Sequence, residues 1–234
     1  MDIGFALNYQ HIVEVDTTPG GEARTWAWVG PGIGTISNGS SETTSEDSYY
    51  SDGGDTKVDV TGVSKKYDVE GHRRIGDPFQ DFVASIEDAV GSGRETRYRI
   101  TDPQGRCIEA ACTITDIAAS GPNGAANEKA SFKCSICRCG APVVVSEAAG
   151  SSLPESVEVS SPVTAQQGKT TAVKPTVTPS DASPRCLFAV EDPKVATVAP
   201  DGTVTGVKNG KTRLAVKCAA KPSVSTVVEV TVSA

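Results

Sequence analysis

The hydrophobic positions of this chain recur mostly at every second residue, in short segments separated by glycine, proline and polar residues. This alternation predicts β-strands that bury one face and expose the other. Within the first 145 residues, the segments with this pattern are 11–15, 25–29, 57–63, 67–74, 94–101, 107–117 and 127–137. We therefore expect this part of the chain to be a β-sandwich or open barrel.

A single segment follows a helical period instead. Asp77 is a favourable N-cap, and Pro78 suits the first helical position. Apolar residues then recur at helical spacing as far as Val90, and Gly91 is a suitable residue to end a helix. The sequence thus predicts one helix at 78–90 that flanks the sheet. The side chains expected to pack on the sheet are Phe79, Phe82, Val83 and Ile86.

A change of composition divides the chain into two domains. Residues 146–153, SEAAGSSL, have the composition of a flexible linker. Beyond them the strands are shorter, and both Asp201-Gly202 and Asn209-Gly210 lie between alternating segments, which is the strongest local signal for hairpins. We expect a first domain at 1–145, a linker at 146–153 and a second, smaller β-sandwich at 154–234.

A long polar segment interrupts the first domain. Residues 37–56 consist mainly of Ser, Thr, Glu, Asp and Gly, which predicts a loop, and loops of this length are usually functional or disordered. The acidic residues do not follow the ligand order of a calcium loop. We interpret the segment as a solvated or inter-subunit loop. Its candidate contact residues are Glu42, Glu46, Asp47, Asp52 and Asp55.

Charge is unevenly divided between the two domains. Residues 1–150 carry 22 acidic and 13 basic side chains, a balance of −9, whereas residues 151–234 carry 7 acidic and 9 basic ones, a balance of +2. A conventional nucleic-acid-binding domain presents a basic patch, so the first domain does not fit that class. An acidic surface does suit a protein that lets a polyanion pass without binding it.

Residues that support catalysis are scarce. His11 and His72 are the only histidines, and neither has an acid–base partner at motif spacing, so we interpret both as surface or interface residues. The glycine-rich segment 30–34 lacks the Lys-Ser/Thr of a phosphate-binding loop. We predict no catalytic residue, no cofactor site and no enzyme activity.

Seven cysteines leave two interpretations open. Cys134, Cys137 and Cys139 form a C-x-x-C-x-C motif that a zinc site could use, but zinc requires a second ligand pair, and Cys107 with Cys112 is a poor one. In the other interpretation, which we favour, the cysteines are small apolar residues of adjacent strands. We therefore predict no metal site.

The chain has no apolar run of membrane-spanning length. Its first residues, MDIGFALNYQ, lack the basic and apolar regions of a secretory signal. We therefore expect the protein to remain in the cytoplasm of the cell that makes it.

The second domain contains three motifs in sequence. Asp192-Pro193-Lys194-Val195-Ala196-Thr197-Val198 is followed by Asp201-Gly202-Thr203-Val204-Thr205-Gly206-Val207 and by Gly210-Lys211-Thr212. With these motifs, the region from about Pro154 to Val232 resembles the bacterial Ig-like group 2 family. Phe188 stands where that family usually has Trp, so an aromatic core residue is kept. The resemblance implies an Ig-like sandwich without activity, of the kind that decorates surface and virion proteins.

The first domain also carries an ordered set of motifs. They are Trp28-Val29-Gly30-Pro31-Gly32-Ile33 with Ile36, Tyr49-Tyr50 before Asp52-Gly53-Gly54, Val60-Thr61-Gly62, Gly71 with Arg73, Gly76-Asp77-Pro78, Pro103-Gln104-Gly105 and Asn127-Glu128. With them, and with its single helix in mid-sandwich, the region at about 5–142 resembles the tail tube (major tail) proteins of long-tailed bacteriophages. Tail tube proteins with a C-terminal Ig-like domain are a known arrangement.

This resemblance implies a structural virion protein. Six copies would form a ring, and rings would stack head-to-tail into the tail tube, the conduit for DNA ejection, with the five acidic residues of the polar segment as candidate contacts between rings. Expected partners are further copies, the tape measure, tail terminator and tail tip proteins, and double-stranded DNA that passes through the lumen without specific binding. The Ig-like domain would project outward on its linker, where host surface glycans are candidate ligands. Assembly would take place in the host cytoplasm, and the product would reside in the virion tail.

The alternative belongs to a different class: a cell-surface or adhesive protein whose Ig-like module binds carbohydrate or extends a stalk. Such a protein requires an export route, for which we find no signal in the sequence. An enzyme built on a β-sandwich is a third class, and the lack of an acid–base constellation argues against it.

Overall fold

The computed structural model describes residues 7–145 and 152–234, so the linker predicted at 146–153 lies almost entirely outside the described residues. Within them the chain is mainly β with a single α-helix, which confirms the predicted class. The elements of the first domain are β1 (Ile12–Asp16), β2 (Trp26–Trp28), β3 (Ile33–Asn38), β4 (Ser41–Ser48), β5 (Thr56–Ser64), β6 (Lys66–His72), α1 (Pro78–Ser85), β7 (Glu95–Thr101), β8 (Cys107–Ala118) and β9 (Ser131–Val145). Short 3₁₀ turns lie at Asn8–Gln10, Tyr50–Asp52 and Gly91–Arg94.

Seven of these strands form one antiparallel sheet that curls into a half-barrel. Its order is β2-β1-β7-β8-β9-β6-β3, so β2 and β3 are its edges. Alternate residues of each strand point to one apolar face, where Val15, Val69, Tyr98, Ile114 and Ile136 are almost completely buried. The architecture is therefore the open barrel of the two predicted forms.

Helix α1 covers this apolar face and begins as the sequence predicts. The Asp77 carboxylate accepts a hydrogen bond from the Gln80 N–H (3.0 Å), and Pro78 occupies the first helical turn. The Asp77 side chain is buried at this N-terminus, and its burial raises the pKa of the carboxyl above its usual value.

The helix ends earlier than predicted. It was expected to reach residue 90, but it stops at Ser85, and Val90 is exposed. Arg94 accounts for the difference, because its Nε donates to the Ala89 carbonyl (2.7 Å) and its guanidinium also donates to the Glu87 carbonyl. These side-chain bonds satisfy the carbonyls of Glu87 and Ala89. In a longer helix the same carbonyls would accept from backbone N–H groups of the next turn.

The four predicted packing residues of the helix all contact the core, to different extents. Phe79 and Val83 are completely buried, whereas Phe82 and Ile86 are only partly buried at its edge. The Phe79 ring meets the Phe132 ring edge-on at 5.8 Å between centroids. Phe79, rather than Phe82, is therefore the central aromatic residue of the helix.

A buried glutamine, which the sequence did not single out, ties the helix to the sheet. The Gln80 side chain is completely buried. Its Oε1 accepts from the Arg74 N–H (2.6 Å), and its Nε2 donates to the carbonyls of Pro31 (3.0 Å) and His72 (3.2 Å). A polar side chain buried with its hydrogen bonds satisfied fixes the helix against the ends of two strands.

The segment predicted to be a polar loop is a β-hairpin, so that prediction is wrong. Strand β4 pairs with β5 from Ser41↔Ser64 to Ser48↔Thr56, and the two form a sheet of their own. The valines of β5 lie across from Glu42, Thr44 and Glu46 of β4. Cross-strand pairing satisfies the backbone groups that a loop would leave to water. Composition suggested a loop because the apolar half of the hairpin lies wholly on the second strand.

The second domain is built from nine short strands. They are β10 (Ser156–Glu158), β11 (Val163–Gln166), β12 (Thr170–Ala172), β13 (Thr176–Thr178), β14 (Cys186–Val190), β15 (Ala196–Val198), β16 (Thr203–Gly206), β17 (Gly210–Cys218) and β18 (Ser225–Ser233). They form sheets in the orders β11-β18-β17-β14, β12-β16-β15 and β10-β13. Val204, Leu214, Val216 and Val230 are completely buried in the core of this domain.

One of the two hairpins predicted here is confirmed and the other is wrong. Asp201-Gly202 connects β15 to its antiparallel neighbour β16. Asn209-Gly210 connects β16 to β17, which belong to different sheets. The Val207 and Lys208 N–H groups both donate to the Val195 carbonyl, which turns the chain toward the other sheet.

Candidate functional site

One face of the β4–β5 hairpin carries an exposed apolar stripe. Val58, Val60 and Val63 are 56%, 55% and 46% exposed, and in the pairing they lie opposite Glu46, Thr44 and Glu42. A bulge at Thr61, opposite the step from Thr43 to Thr44, shifts the register, so Val60 and Val63 share a face although they are three positions apart. We call Val58, Val60 and Val63 the valine face.

The tip of the hairpin presents two tyrosines. Tyr49 is about half exposed, at 55%, and Tyr50 is fully exposed. The chain reverses through Gly53 and Gly54, whose φ values of 69° and 89° lie in the left-handed region that glycine adopts most easily. Aromatic side chains at an exposed tip are typical of contact surfaces.

The five acidic residues singled out in the sequence all lie on this hairpin and are all exposed. Glu42 and Glu46 share the valine face, and Asp47 lies on the opposite face across from Lys57. Asp52 and Asp55 lie in the turn at the tip. The structure therefore places two of them beside the valines and separates the other three.

A second surface, which the sequence did not reveal, joins the two domains. Glu14 of β1 points to the side of the sheet away from α1 and is completely buried. Its Oε2 accepts from Arg99 Nε (2.7 Å), and its Oε1 accepts from an Arg185 guanidinium nitrogen of the second domain (2.5 Å). The Trp26 ring stacks on Arg99, with the guanidinium carbon 4.3 Å from the ring centroid. We call Glu14, Arg99 and Arg185 the charged cluster.

A buried lysine of the second domain lies at the same interface. The Lys217 ammonium donates to the Tyr9 carbonyl and lies 5.5 Å from the centroid of the Trp28 ring. Burial lowers the pKa of Lys217 below its usual value. A cavity of about 390 Å³ continues the interface, with Trp28, Arg74, Cys186 and Phe188 among its lining residues.

Sequence reasoning missed this interface because its partners are distant along the chain. Glu14 and Arg185 are separated by 171 residues. The one local signal was a carboxylate at the centre of the apolar strand Ile12–Asp16, all five residues of which are buried. A charged residue in a strand covered on both faces requires a cationic partner.

The cysteine motif is divided between the two sides of the sheet. Cys134 is buried in the core under α1, whereas Cys137 and Cys139 point to the other side, where their thiols lie 3.3 Å from the hydroxyls of Thr115 and Thr113. Residues three apart in a strand face opposite ways, so Cys134 is separated from the other two. Within residues 7–145 and 152–234, no group of three or more Cys, His, Asp or Glu is placed to hold a metal ion.

The two histidines lie at the ends of strands. His11 precedes β1 and is partly exposed, and His72 ends β6 and is exposed.

Among the described residues, no helix combines the length and apolarity that crossing a bilayer requires.

Comparison with known proteins identifies the second domain. Residues 155–232 match the family model of the bacterial Ig-like domain (group 2), which confirms the resemblance drawn from the Asp-Pro and Asp-Gly motifs. No sequence among the curated proteins matches the chain.

Solved structures similar to this chain come from tails and injection systems. The tail of an empty gene transfer agent particle, refined with C6 symmetry, is 15% identical with a TM-score of 0.48, covering 61% of this chain and 100% of that one. The tube-terminating cap of the anti-feeding prophage is 10% identical with a TM-score of 0.41, covering 62% and 95%. The sheath–tube complex of an extracellular contractile injection system is 12% identical with a TM-score of 0.41, covering 62% and 93%.

Proposed function

We propose that this chain is the tail tube subunit of a long-tailed bacteriophage. Six copies form a ring, rings stack into a tube, and the tube conducts the DNA during ejection. Its other partners are the tape measure, tail terminator and tail tip proteins. The subunit assembles in the host cytoplasm and resides in the virion tail.

The β4–β5 hairpin is the observation that carries this proposal. A single two-stranded hairpin is marginally stable in water unless something packs on it. This hairpin pairs only with itself, and its valine face is about half exposed in the single subunit. A second copy that covers this face would stabilise the hairpin, and the exposed tyrosines at the tip extend the contact area.

The open edges of the large sheet supply the second element of the proposal. Strands β2 and β3 each leave one side unpaired in the seven-stranded sheet. Unpaired edges promote association in a monomer, and closure into a ring removes them. Pairing between the edges of neighbouring copies therefore gives a ring, while the hairpin is free to reach the next one.

Charge supports the proposed role as a conduit. The first domain has a formal balance of −9 over residues 1–150. A net negative lumen repels the phosphate backbone, so the DNA slides instead of binding. Residues 151–234, which contain the Ig-like domain, have a balance of +2. This domain is assigned to the outside of the tube, where host glycans are its candidate ligands.

The test removes the valine face without disturbing the subunit. The variant V58T/V60T/V63T keeps strand-forming residues but removes the apolar contact. The matched control is K57T/D59T, which changes the opposite face and leaves the net charge unchanged. Each protein is examined by sedimentation velocity and by negative-stain electron microscopy over a range of concentrations.

We expect hollow tubes or rings from the wild type and from the control, and only small, folded species from the valine variant. Tubes of normal length from the valine variant would show that the hairpin is not an assembly surface. A wild-type protein that stays monomeric at every concentration, or that binds cell-wall polysaccharide as a monomer, would favour the adhesive alternative.

A further inference from the structure

Two cysteines of the Ig-like domain lie directly opposite each other on neighbouring strands. Cys186 begins β14 and Cys218 ends β17, and the two are Cα partners in the antiparallel pairing. Both are in the thiol form.

The register places this pair at a position that suits a disulfide. The Ala219 N–H donates to the Arg185 carbonyl (3.0 Å), and the Glu191 N–H donates to the Arg213 carbonyl (2.9 Å), so hydrogen-bonded pairs fall on the odd residues of this stretch. Cys186 and Cys218 therefore form a non-hydrogen-bonded pair, and the Cys218 N–H points to β18 instead, where it bonds the Val224 carbonyl (2.9 Å). In such pairs the Cα atoms are about 4.5 Å apart, within the range of about 4.4–6.8 Å that disulfides span.

The pair borders a cavity on one side. Cys218 is completely buried, and Cys186, which is 8% exposed, lines the cavity of about 390 Å³ between the two domains. All seven cysteines lie in the described residues, and among them Cys186 and Cys218 are the only two that are cross-strand partners. The remaining five pair with residues other than cysteine, so they provide an internal control.

We propose that Cys186 and Cys218 are a modification site that forms an intramolecular disulfide when a small-molecule disulfide, such as oxidised glutathione, supplies the oxidising equivalents. The Cys186 thiolate attacks one sulfur of the oxidant, which forms a mixed disulfide and releases one small thiol. The Cys218 thiolate then attacks Cys186 Sγ, which forms the protein disulfide and releases the second small thiol. Two cysteine protons are carried away on the two thiols, the protein loses two electrons, and the oxidant gains them.

The bond would act on the interface between the domains. It closes a loop over residues 187–217, which removes chain entropy from the unfolded state. It also cross-links the edge strand β14 to β17 beside Arg185 and Lys217, two of the side chains that reach the first domain. Oxidation should therefore stabilise the Ig-like domain and its attachment together.

The experiment treats the full-length protein with oxidised glutathione and follows it by thiol titration, mass spectrometry of non-reduced peptides, and thermal unfolding. We expect the loss of two thiols, a cross-linked peptide pair containing Cys186 and Cys218, and a rise in Tm on the order of 10 °C. Glutathionylation of the exposed Cys139 shows in the same sample that the oxidant was active.

Variants separate this pair from the other thiols. In C186V the Tm should not respond to the oxidant, whereas C139S should behave like the wild type. A cross-link between other cysteines would overturn the proposal. So would a mixed disulfide that persists at Cys186, or an unmodified pair in a sample whose Cys139 has reacted. Because the peptide analysis uses the wild type, it decides the matter even if C186V fails to fold.

Discussion

The β4–β5 hairpin and the Ig-like domain both extend beyond the seven-stranded sheet, and they are held in opposite ways. The hairpin pairs only with itself and exposes its valine face. The Ig-like domain lies against the sheet through a completely buried carboxylate, Glu14, and the guanidinium of Arg185. From composition we expected a long polar loop in place of the hairpin, which is wrong, and an Ig-like domain on a flexible linker, which lies almost entirely outside the described residues. The contrast shows that composition does not reveal whether a segment is attached to the large sheet. Attachment depends on what the outward-facing side chains of its strands, such as Glu14, contact.

Stability and assembly should therefore respond to different parts of the molecule. Substitutions in the core and at the domain interface should change the free energy of unfolding of the single subunit. Substitutions on the hairpin should change only the association of subunits. Four measurements test this division, beginning with the one that sets the energetic scale.

Phe79→Ala should cause the largest loss of stability, about 3–5 kcal/mol. Its side chain is completely buried between α1 and the sheet, so truncation removes apolar burial and leaves a cavity. Phe82→Ala is the matched control and should cost less, because Phe82 is only partly buried. Urea unfolding of the two variants gives the values, and equal losses would mean that the helix is rotated from the orientation described here.

Glu14→Ala should cost about 3 kcal/mol, since it removes the carboxylate that holds two guanidinium groups and leaves their buried charge less well compensated. The value lies at the lower end of the range for buried pairs because Arg185 is about a third exposed, at 34%. Glu42→Ala on the hairpin is the control and should change stability by less than about 0.5 kcal/mol. If thermal melts show no difference between the two variants, the domains are not held together by the charged cluster.

Asp77→Asn should have a small effect with a defined pH dependence. Asn is as good an N-cap as Asp, and it avoids placing a charge in the buried site that raises the pKa of Asp77. Since the folded state binds the proton more tightly than the unfolded state, wild-type stability falls as the pH rises from about 4 through the raised pKa. The variant lacks this pH dependence. Its free energy of unfolding relative to that of wild type should therefore increase from about pH 4 through the raised pKa of Asp77, by less than about 1 kcal/mol. Melts at pH 3.5 and pH 7 would detect it, and an unchanged difference between the two proteins would contradict it.

The valine variant V58T/V60T/V63T should have no measurable effect on the stability of the isolated subunit. All three side chains are about half exposed, and exposed substitutions usually change stability by less than about 0.5 kcal/mol. Denaturation at a concentration below that of assembly makes the measurement. A loss similar to that of Phe79→Ala would show that the hairpin packs within its own subunit.

Local patterns predicted much of the fold. Strand alternation located the large sheet, and Asp77 with Pro78 located the start of the helix, because both signals lie within a few residues. The end of the helix was wrong because it depends on Arg94, which turns back to the carbonyls of Glu87 and Ala89. The hairpin was missed because the apolar residues that pair with β4 lie on β5.

The interface between the domains could not have been predicted in this way. Glu14 and Arg185 meet only after both domains have folded, and no local period connects them. A separately folding second domain predicts that residues 150–234 can be deleted without loss of tubes. The structure adds a condition to it, because deletion would expose Trp26 and Trp28 and would leave Glu14 without Arg185.

The charged cluster also bears on how such a protein can evolve. Ig-like domains are often regarded as modules that can be exchanged freely between proteins. Here a domain taken from elsewhere would meet a buried glutamate on β1 and would need a cation at the position of Arg185 to accept it. Inheritance of the two domains should therefore be linked, with the identity of residue 14 constraining which recombinants are viable.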